Sequence, residues 1–372
     1  MKIGCPKEIK PQEFRVGLTP NAVREILLND HKVFIEKSAG LGSGFSDEDY
    51  KDAGANVVPS AEELFEHSEM IIKVKAPQKS ERKLLKKKQV LFTYLHLAPD
   101  PAQTQDLLAS NCTAIAYETV TDKFGGLPFL APMSEVAGRL APQVGAWTLQ
   151  KANGGRGILL GGVPGVEPAN VVIIGGGVVG ANAAKVSLGM GANVTILERS
   201  ITKMRQLDDL FQGSVKTIYS NTGNTANLIK AADLLIGAVL VPGATAPKLV
   251  SRDQLSSMRD GAAIVDVAID QGGCFETSKA TTHEDPIYKV DGVMHYCVAN
   301  MPGAVARTST IALGNATMPF IIALANQGWR EACKGNPHLL NGLNVHNGVL
   351  TYDAVGKALN IKVTKPEDAL SI

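Results

Sequence analysis

At 372 residues the chain is too long for one ordinary hydrophobic core, so two domains are expected. Its 45% hydrophobic and 20% charged residues exclude a disordered or fibrous chain. A net charge of +1 supplies no field that would draw it to nucleic acid or to a membrane surface.

Through the first third of the chain, short apolar runs alternate with helical patterns. Strands are expected at Lys2–Cys5, Val33–Glu36, Met70–Lys75, Val90–Leu97 and Thr113–Tyr117. Helices are expected to open at Thr19-Pro20 and near Asp100-Pro101, where a capping residue precedes proline. Such alternation implies a parallel sheet with helices on its faces. Ligands of open parallel sheets lie beyond the carboxyl ends of the strands, so polar residues there are candidates. Arg15, in the loop Pro11–Leu18 after the first strand, could grip a carboxylate bidentately; a solvated loop arginine is the ordinary alternative. Lys73 and Lys75 fall on one face of their strand, which implies that at least one faces a water-filled cleft. The partner is then either a substrate carboxylate or an ordinary salt bridge. In VLFTYLHL, alternation puts Phe92, Tyr94 and His96 on one face, with His96 at the crevice end. An imidazole there can give and take a proton; the alternative is a histidine that caps the next helix.

A long helical stretch, Ser134–Asn153, tolerates Pro142 and leads to the most specific motif in the chain, NVVIIGGGVVGANAAKVSLGMGANVTILE from Asn170 to Glu198. A β-branched run enters Gly175-x-Gly177-x-x-Gly180, a small-residue helix follows, and a second strand stops at an acid. The first glycine permits a tight turn, the second a close approach to a pyrophosphate, and the third close packing of helix on sheet. Helix N-terminal N–H groups then face the diphosphate. Glu198 stands where an acid meets the ribose hydroxyls, and its charge would repel the 2′-phosphate of NADP, so NAD is the expected cofactor although Arg199 follows it.

Further strands are expected at Val215–Tyr219, Leu234–Ile236, Ala263–Val267 and Val293–Tyr296. The run Gly261–Gly273 (GAAIVDVAIDQGG) reads as a buried strand ending at Asp270, with Asp266 in the same parity. An acid at that mouth could activate water or orient an amine; helix capping is the alternative. His283-Glu284-Asp285 reads as a loop, and no histidine has metal-ligand spacing, so no metal is expected. A second long helix, Val305–Asn326, carries Pro319, and the last residues read as helical without strands. The economical architecture is α/β, with two doubly wound domains and long connecting helices. A discontinuous substrate domain (1–130 and 307–372) would carry an inserted NAD-binding domain (131–306).

The five cysteines are odd in number and lack CxxC spacing, which favours reduced thiols over disulfides or zinc. Met1 leads straight into the strand-like KIGCP, so no leader peptide is expected, and no apolar stretch reads as long enough to span a membrane. The expected location is the cytoplasm.

In order along the chain, MKIGCPKEIKPQEFRVGLTP, IIKVKAP, TYLHLAPD, APMSEVAGRLAPQVGA, IIGGGVVGANAA, IVDVAIDQGG and VANMPGAVARTST resemble the bacterial alanine dehydrogenases, over essentially the full length. The resemblance implies two Rossmann-like domains and a homohexamer. It implies NAD-dependent, reversible oxidation of L-alanine to pyruvate and ammonium. Arg15 and Lys75 would then hold the substrate carboxylate, while His96 and Asp270 move the protons that hydrolyse the imine. For the cofactor it implies Ser134, Val178 and Val179 at the pyrophosphate and Glu198 at the ribose. Lys203 and Ser220 would flank the adenosine. Val239, Leu240, Val267, Ala268, Ile269, Asp270, Val298, Ala299, Asn300 and Met301 would line the nicotinamide side. Some relatives carry a Glu/His metal site on the long C-terminal helix, but Ala323-Leu324-Ala325-Asn326-Gln327 supplies neither ligand. Two rivals share the fold. One is the soluble nucleotide-binding part of a proton-translocating transhydrogenase, whose Arg-Gln-Asp-type loop is absent from Glu135–Arg139. The other is a saccharopine-type amino-acid dehydrogenase.

Overall fold

The computed structural model describes residues 1–239 and 246–371, which form two compact α/β units: Met1–Met133 with Val305–Ile372, and Ser134–Ala304. In chain order the strands are β1 (Lys2–Cys5), β2 (Lys32–Glu36), β3 (Asn56–Val58), β4 (Met70–Ile72), β5 (Val90–Thr93) and β6 (Thr113–Ala116) in the first unit. The second unit holds β7 (Asn170–Ile174), β8 (Asn193–Glu198), β9 (Lys216–Tyr219), β10 (Leu234–Gly237), β11 (Ala263–Asp266), β12 (Ile287–Val290) and β13 (Val293–Tyr296). The chain then returns to the first unit with β14 (Leu343–His346) and β15 (Val349–Leu350).

The first sheet runs β15-β14-β6-β5-β4-β1-β2-β3. β1 to β6 are parallel, and β14 and β15 add antiparallel at the β6 edge. Both faces are buried, as a helix-covered parallel sheet requires. Met70, Ile72, Val90 and Phe92 enter one core, while Ile71, Leu91, Ala114 and Ala116 enter the other. The order turns back between β1 and β4, the place where such sheets open a crevice. The expected cap is present, with Thr19 accepting from the Ala22 N–H ahead of Pro20 at the start of the helix Pro20–Leu27.

The second sheet runs β12-β13-β11-β10-β7-β8-β9, parallel except for β12, and turns back between β7 and β10. A helix Leu130–Thr148, with Pro142 inside it, carries the chain from the first unit into the second; a separate 3₁₀ turn, Lys151–Asn153, replaces the end of the expected element.

Several expectations need correction. The tail is not purely helical, because the β14–β15 hairpin completes the first sheet. The strands after Met70, Val90 and Ala263 stop at Ile72, Thr93 and Asp266 instead of Lys75, Leu97 and Val267. Their polar continuations form the turns described below. The second long helix extends over Ala306–Gly335, and its Gly328 (φ 75°) interrupts the helical backbone. The segment Met301–Gly335 is long and apolar enough to cross a membrane by length and composition, contrary to expectation. Within the first unit, however, Leu313, Ile321, Leu324 and Ala325 of this helix pack in the core. All five cysteines are buried free thiols.

Candidate active site

In the first unit the chemistry-bearing residues sit on the turns that follow β1, β4, β5 and β6. Arg15 follows β1 and is 2% exposed, so it is not a solvated loop residue. Its Nε and Nη2 donate to Glu13 Oε1 and Oε2 at 2.7 and 2.6 Å, a bidentate grip, and Nη1 reaches Met133 Sδ at 3.1 Å. Burial alone would raise the Glu13 carboxyl, but the hydrogen bonds and charge of Arg15, with Lys75 nearby, lower it to about 2. A depressed carboxyl contributes stability above its unfolded value, and that stability is lost as pH falls through the folded value. Glu13→Gln should therefore lose roughly 3 kcal/mol at neutral pH and show a flatter acid limb between pH 4.5 and 2 in pH-dependent unfolding. Equal acid limbs in the two proteins would show that this pair does not control acid stability.

The expected strand face of Lys73 and Lys75 does not exist, because β4 ends before them. Lys73 is fully buried, donating to Glu81 Oε1 at 2.7 Å and Glu8 Oε2 at 3.1 Å. It is the salt-bridge alternative, not a cleft residue. Lys75 is half-buried. Its backbone is clamped on both sides: its N–H donates to Glu8 Oε1 (3.1 Å), and its carbonyl accepts from Thr93 Oγ1 (3.1 Å).

His96 lies beyond β5, in a turn instead of a strand, with φ 49°. Its ring nonetheless stacks on Tyr94, centroids 5.9 Å apart and planes 6° apart, and its side chain is 53% exposed. Tyr94 is buried and donates to the Phe129 carbonyl at 2.6 Å. Desolvation raises the Tyr94 phenol, which also feels Arg15 and Glu118. Arg15 pairs with Glu13, whose carboxyl also feels the Lys75 charge, and the Arg15 charge reaches Tyr94, on which His96 stacks. Sequence reasoning missed Glu13, Glu8 and Glu118. Glu118 follows β6, so the strand-end rule would have found it had it been applied to that strand.

In the second unit, Gly175 (φ 99°) makes the turn after β7. A Cβ on Gly180 would lie 1.8 Å from the Gly175 carbonyl oxygen, whereas one on Gly177 would meet nothing within 4 Å among the described residues. Gly180 is therefore required by the protein itself. The space at Gly177 is available to another molecule. The helix Val178–Gly189 starts at Gly177 with no side-chain cap, so its first N–H groups are presented without an internal acceptor from that residue. Gly180→Ala should cost roughly 3 kcal/mol and weaken binding of a dinucleotide, read by thermal melting and fluorescence titration. A variant that melts and binds like the parent would refute the clash.

Ser134 is half-buried, one helical turn before Gly138, whose Cβ would meet the Val179 carbonyl at 2.4 Å; that spacing sets Ser134 on the helix face beside the glycine turn. Glu198 ends β8 and accepts the Gly176, Arg199 and Ser200 N–H groups at 2.7–2.9 Å. Burial would raise its carboxyl, but these three donors outweigh it and lower it, so the group stays ionised. Arg199 and Ser220 border a cavity of about 240 Å³ with Ile174, Asn221, Thr225 and Leu249. Lys203 is half-buried on the next helix, Ile201–Phe211. Val239, after β10, packs against Gly175, while Leu240 lies outside the described residues.

β11 ends at Asp266, not at Asp270. Asp266 is buried and accepts from the Ala268 and Cys274 N–H groups (3.1 and 2.9 Å) and from the Ser278 hydroxyl, tying the following loop into a turn. Val267, Ala268 and Ile269 lead through that turn. Asp270 is exposed on the 3₁₀ turn Ile269–Gln271, and both its oxygens accept the Asn300 N–H at 3.2 Å. That bond joins the Val267–Asp270 loop to Val298, Ala299, Asn300 and Met301. Lys248 Nζ, donating to the carbonyls of Gly272, Gly273 and Phe275 at 2.6–3.1 Å, holds the far side of the turn. Among the described residues, no three His, Cys, Asp or Glu side chains cluster as a metal site.

Comparison with known proteins adds an independent line. Residues 4–137 match the family model for the alanine dehydrogenase/PNT N-terminal domain, and residues 141–353 match the C-terminal one. The chain is 57% identical to an alanine dehydrogenase of Halomonas elongata, covering 97% of this chain and 98% of that protein. It is 56% identical to the alanine dehydrogenase of Methanococcus maripaludis, covering all of both. A solved L-alanine dehydrogenase, 52% identical, superimposes with a TM-score of 0.94 over 97% of this chain and 99% of that one. A transhydrogenase from Sinorhizobium meliloti, 23% identical, has a TM-score of 0.82 over 95% of this chain and all of that one; it shares the fold.

Proposed function

The chain belongs to the alanine dehydrogenase/PNT family, and from that premise we infer that it catalyses the reversible, NAD-dependent oxidative deamination of L-alanine. L-Alanine, NAD and water give pyruvate, ammonium, NADH and a proton. The observation that carries the site assignment is the grouping of Arg15, Lys75 and His96 on turns after three neighbouring parallel strands.

Arg15 and Lys75 bind the substrate carboxylate. Glu13 fixes the plane of the guanidinium, and the Glu8 and Thr93 bonds fix the Lys75 backbone. Bound NAD would supply the acceptor for the hydride that leaves the alanine Cα. His96, half-exposed on its turn, is the acid and base at the nitrogen-bearing carbon. Asp270 is assigned the water and the departing amine. Arg15 and Lys75 act on the carboxylate and not on the reacting carbon, so they position the substrate and lower KM. His96 and Asp270 act on protons that move.

The residues of the second unit fit a dinucleotide. The uncapped helix start with Val178 and Val179, together with Ser134, takes the pyrophosphate. Glu198, ionised and already ordered by three backbone donors, takes the ribose hydroxyls and disfavours a 2′-phosphate. Lys203 and Ser220 flank the adenosine, and Ser220 borders the cavity described above. Val239, the Val267–Asp270 loop and Val298–Met301 line the nicotinamide. The first unit is the substrate domain and the second the NAD domain. We further assign a cytoplasmic homohexamer without a resident metal.

The test is NADH formation, followed by its near-ultraviolet absorbance, with NAD and single amino acids. L-Alanine should be the preferred substrate by a wide margin. Silence with alanine alongside hydride exchange to an NADP analogue would overturn the assignment.

A further inference from the structure

We propose that Ser43 and Thr310 are positioning residues for the substrate carboxylate, acting through Arg15; the proposal rests on Arg15 being the carboxylate anchor. Arg15 lies in a stretch, 13–16, that belongs to no helix or strand, so no ladder holds its backbone. Two hydroxyls hold it instead. Ser43 Oγ donates to the Phe14 carbonyl (2.9 Å), the Val16 N–H donates to Thr310 Oγ1 (3.2 Å), and the two hydroxyl oxygens lie 2.9 Å apart. Each hydroxyl has a single proton. With the Ser43 proton committed to Phe14, Thr310 donates to Ser43, and the bonds run in one direction from the Val16 N–H to the Phe14 carbonyl.

This relay closes on the two peptide groups that flank the Arg15 Cα. The first is held by Ser43 at its carbonyl and by Glu13 Oε1 at its N–H (3.1 Å). The second is held by Thr310 at its N–H. Peptide groups are planar, so holding both fixes φ and ψ at Arg15, and with them the direction in which the side chain leaves. Ser43, Thr310 and Val16 are each 1% exposed, so water does not compete for these bonds. The helix Ala306–Gly335 is set up for this contact. Thr317 turns its hydroxyl back onto the Leu313 carbonyl (3.1 Å), the usual habit of a threonine inside a helix, whereas that of Thr310 reaches across to the Arg15 loop. Arg307, one turn before Thr310, donates from Nη1 to the Ser43 and Gly44 carbonyls (3.1 and 2.9 Å) and lies over the Phe45 ring, 4.6 Å from its centroid. It thereby holds the 3₁₀ turn Leu41–Ser43 against the helix.

The test is steady-state kinetics in both directions on the full chain, using Thr310→Val, Thr310→Ser, Ser43→Ala, Arg15→Lys and the Thr310→Val/Arg15→Lys pair. Thr310→Val keeps the shape and removes the hydroxyl; it should raise KM for alanine and for pyruvate about 5- to 50-fold, the scale set by leaving buried polar groups unpaired. The kcat, and KM for ammonium, which has no carboxylate, should stay within about twofold. Thr310→Ser should return KM for alanine to within about threefold of the parent, and Ser43→Ala should raise it as Thr310→Val does. A hydroxyl pair that served the fold alone would lower the melting midpoint without singling out the carboxylate substrates. In the Arg15→Lys background, Thr310→Val should add nothing further. A parent-like KM for alanine in Thr310→Val, or in Ser43→Ala where Thr310→Val does not fold, beside a raised KM in Arg15→Lys, would overturn the proposal alone. So would losses that multiply in the double variant, since the hydroxyls would then act independently of Arg15. A parent-like KM in Arg15→Lys would instead overturn the anchor reading on which the proposal stands.

Discussion

Replacing His96 by alanine should lower alanine turnover by about 10²–10⁴, the usual worth of a positioned general acid and base. The loss should appear in kcat in both directions, because the same imidazole serves imine hydrolysis and its reversal. NADH binding should be unchanged, since the glycine turn, Glu198 and Ser220 all belong to the other unit. Thermal stability should change little, because the side chain is half-exposed and its main packing contact is the face of Tyr94. Steady-state kinetics and a fluorescence titration of NADH measure the two halves of this expectation. Turnover within threefold of the parent would remove His96 from the chemistry.

Lys73→Met should destabilise the first unit by about 3–5 kcal/mol, the penalty for stripping one partner from a buried ionic group. Lys73 is flanked by two acids, Glu8 and Glu81, all three nearly inaccessible to water. Burial pushes the Glu8 carboxyl up even with Lys73 beside it, so the triad is already short of positive charge. Without the ammonium, two carboxylates face each other in a low-dielectric setting. In a unit of this size the loss corresponds to a fall in melting midpoint of roughly 10 °C or more. Glu8 also binds the Val74 and Lys75 N–H groups, so KM for alanine should rise as that loop loosens. Adding Glu8→Gln and Glu81→Gln should restore part of the stability, because neutral amides keep the backbone acceptors without the repulsion. A melting midpoint within 2 °C of the parent for Lys73→Met would show that the triad carries little of the fold.

The dinucleotide motif was legible because its glycines do local work. Gly175 needs its positive φ and Gly180 its missing Cβ, and both demands are written within six residues. The strand-end rule likewise set Arg15, Lys75 and His96 at the carboxyl side of the first sheet, where their turns lie. What it could not read was where each strand stops. Ile72, Thr93 and Asp266 end their strands in the middle of runs that keep alternating, and nothing local marks the boundary. Lys73 was misplaced for that reason: its burial depends on Glu8, from another loop, and on Glu81, on the short helix Lys79–Arg82 that follows. Arg15 was likewise given a solvated alternative because the shielding that buries it comes partly from Met133, far along the chain. The β14–β15 hairpin escaped notice because its strands are short and β14 pairs with β6, more than two hundred residues earlier.

That hairpin also bears on the order in which the protein can be completed. Residues 134–304 leave the ribosome before Leu343–His346 exist, so during synthesis β6 borders open solvent along a row of unsatisfied amides and carbonyls. An unprotected edge of this kind invites pairing with other chains. Products of premature termination before the final hairpin would keep that sticky margin permanently, and a nascent chain stalled there is the natural client of a holding chaperone.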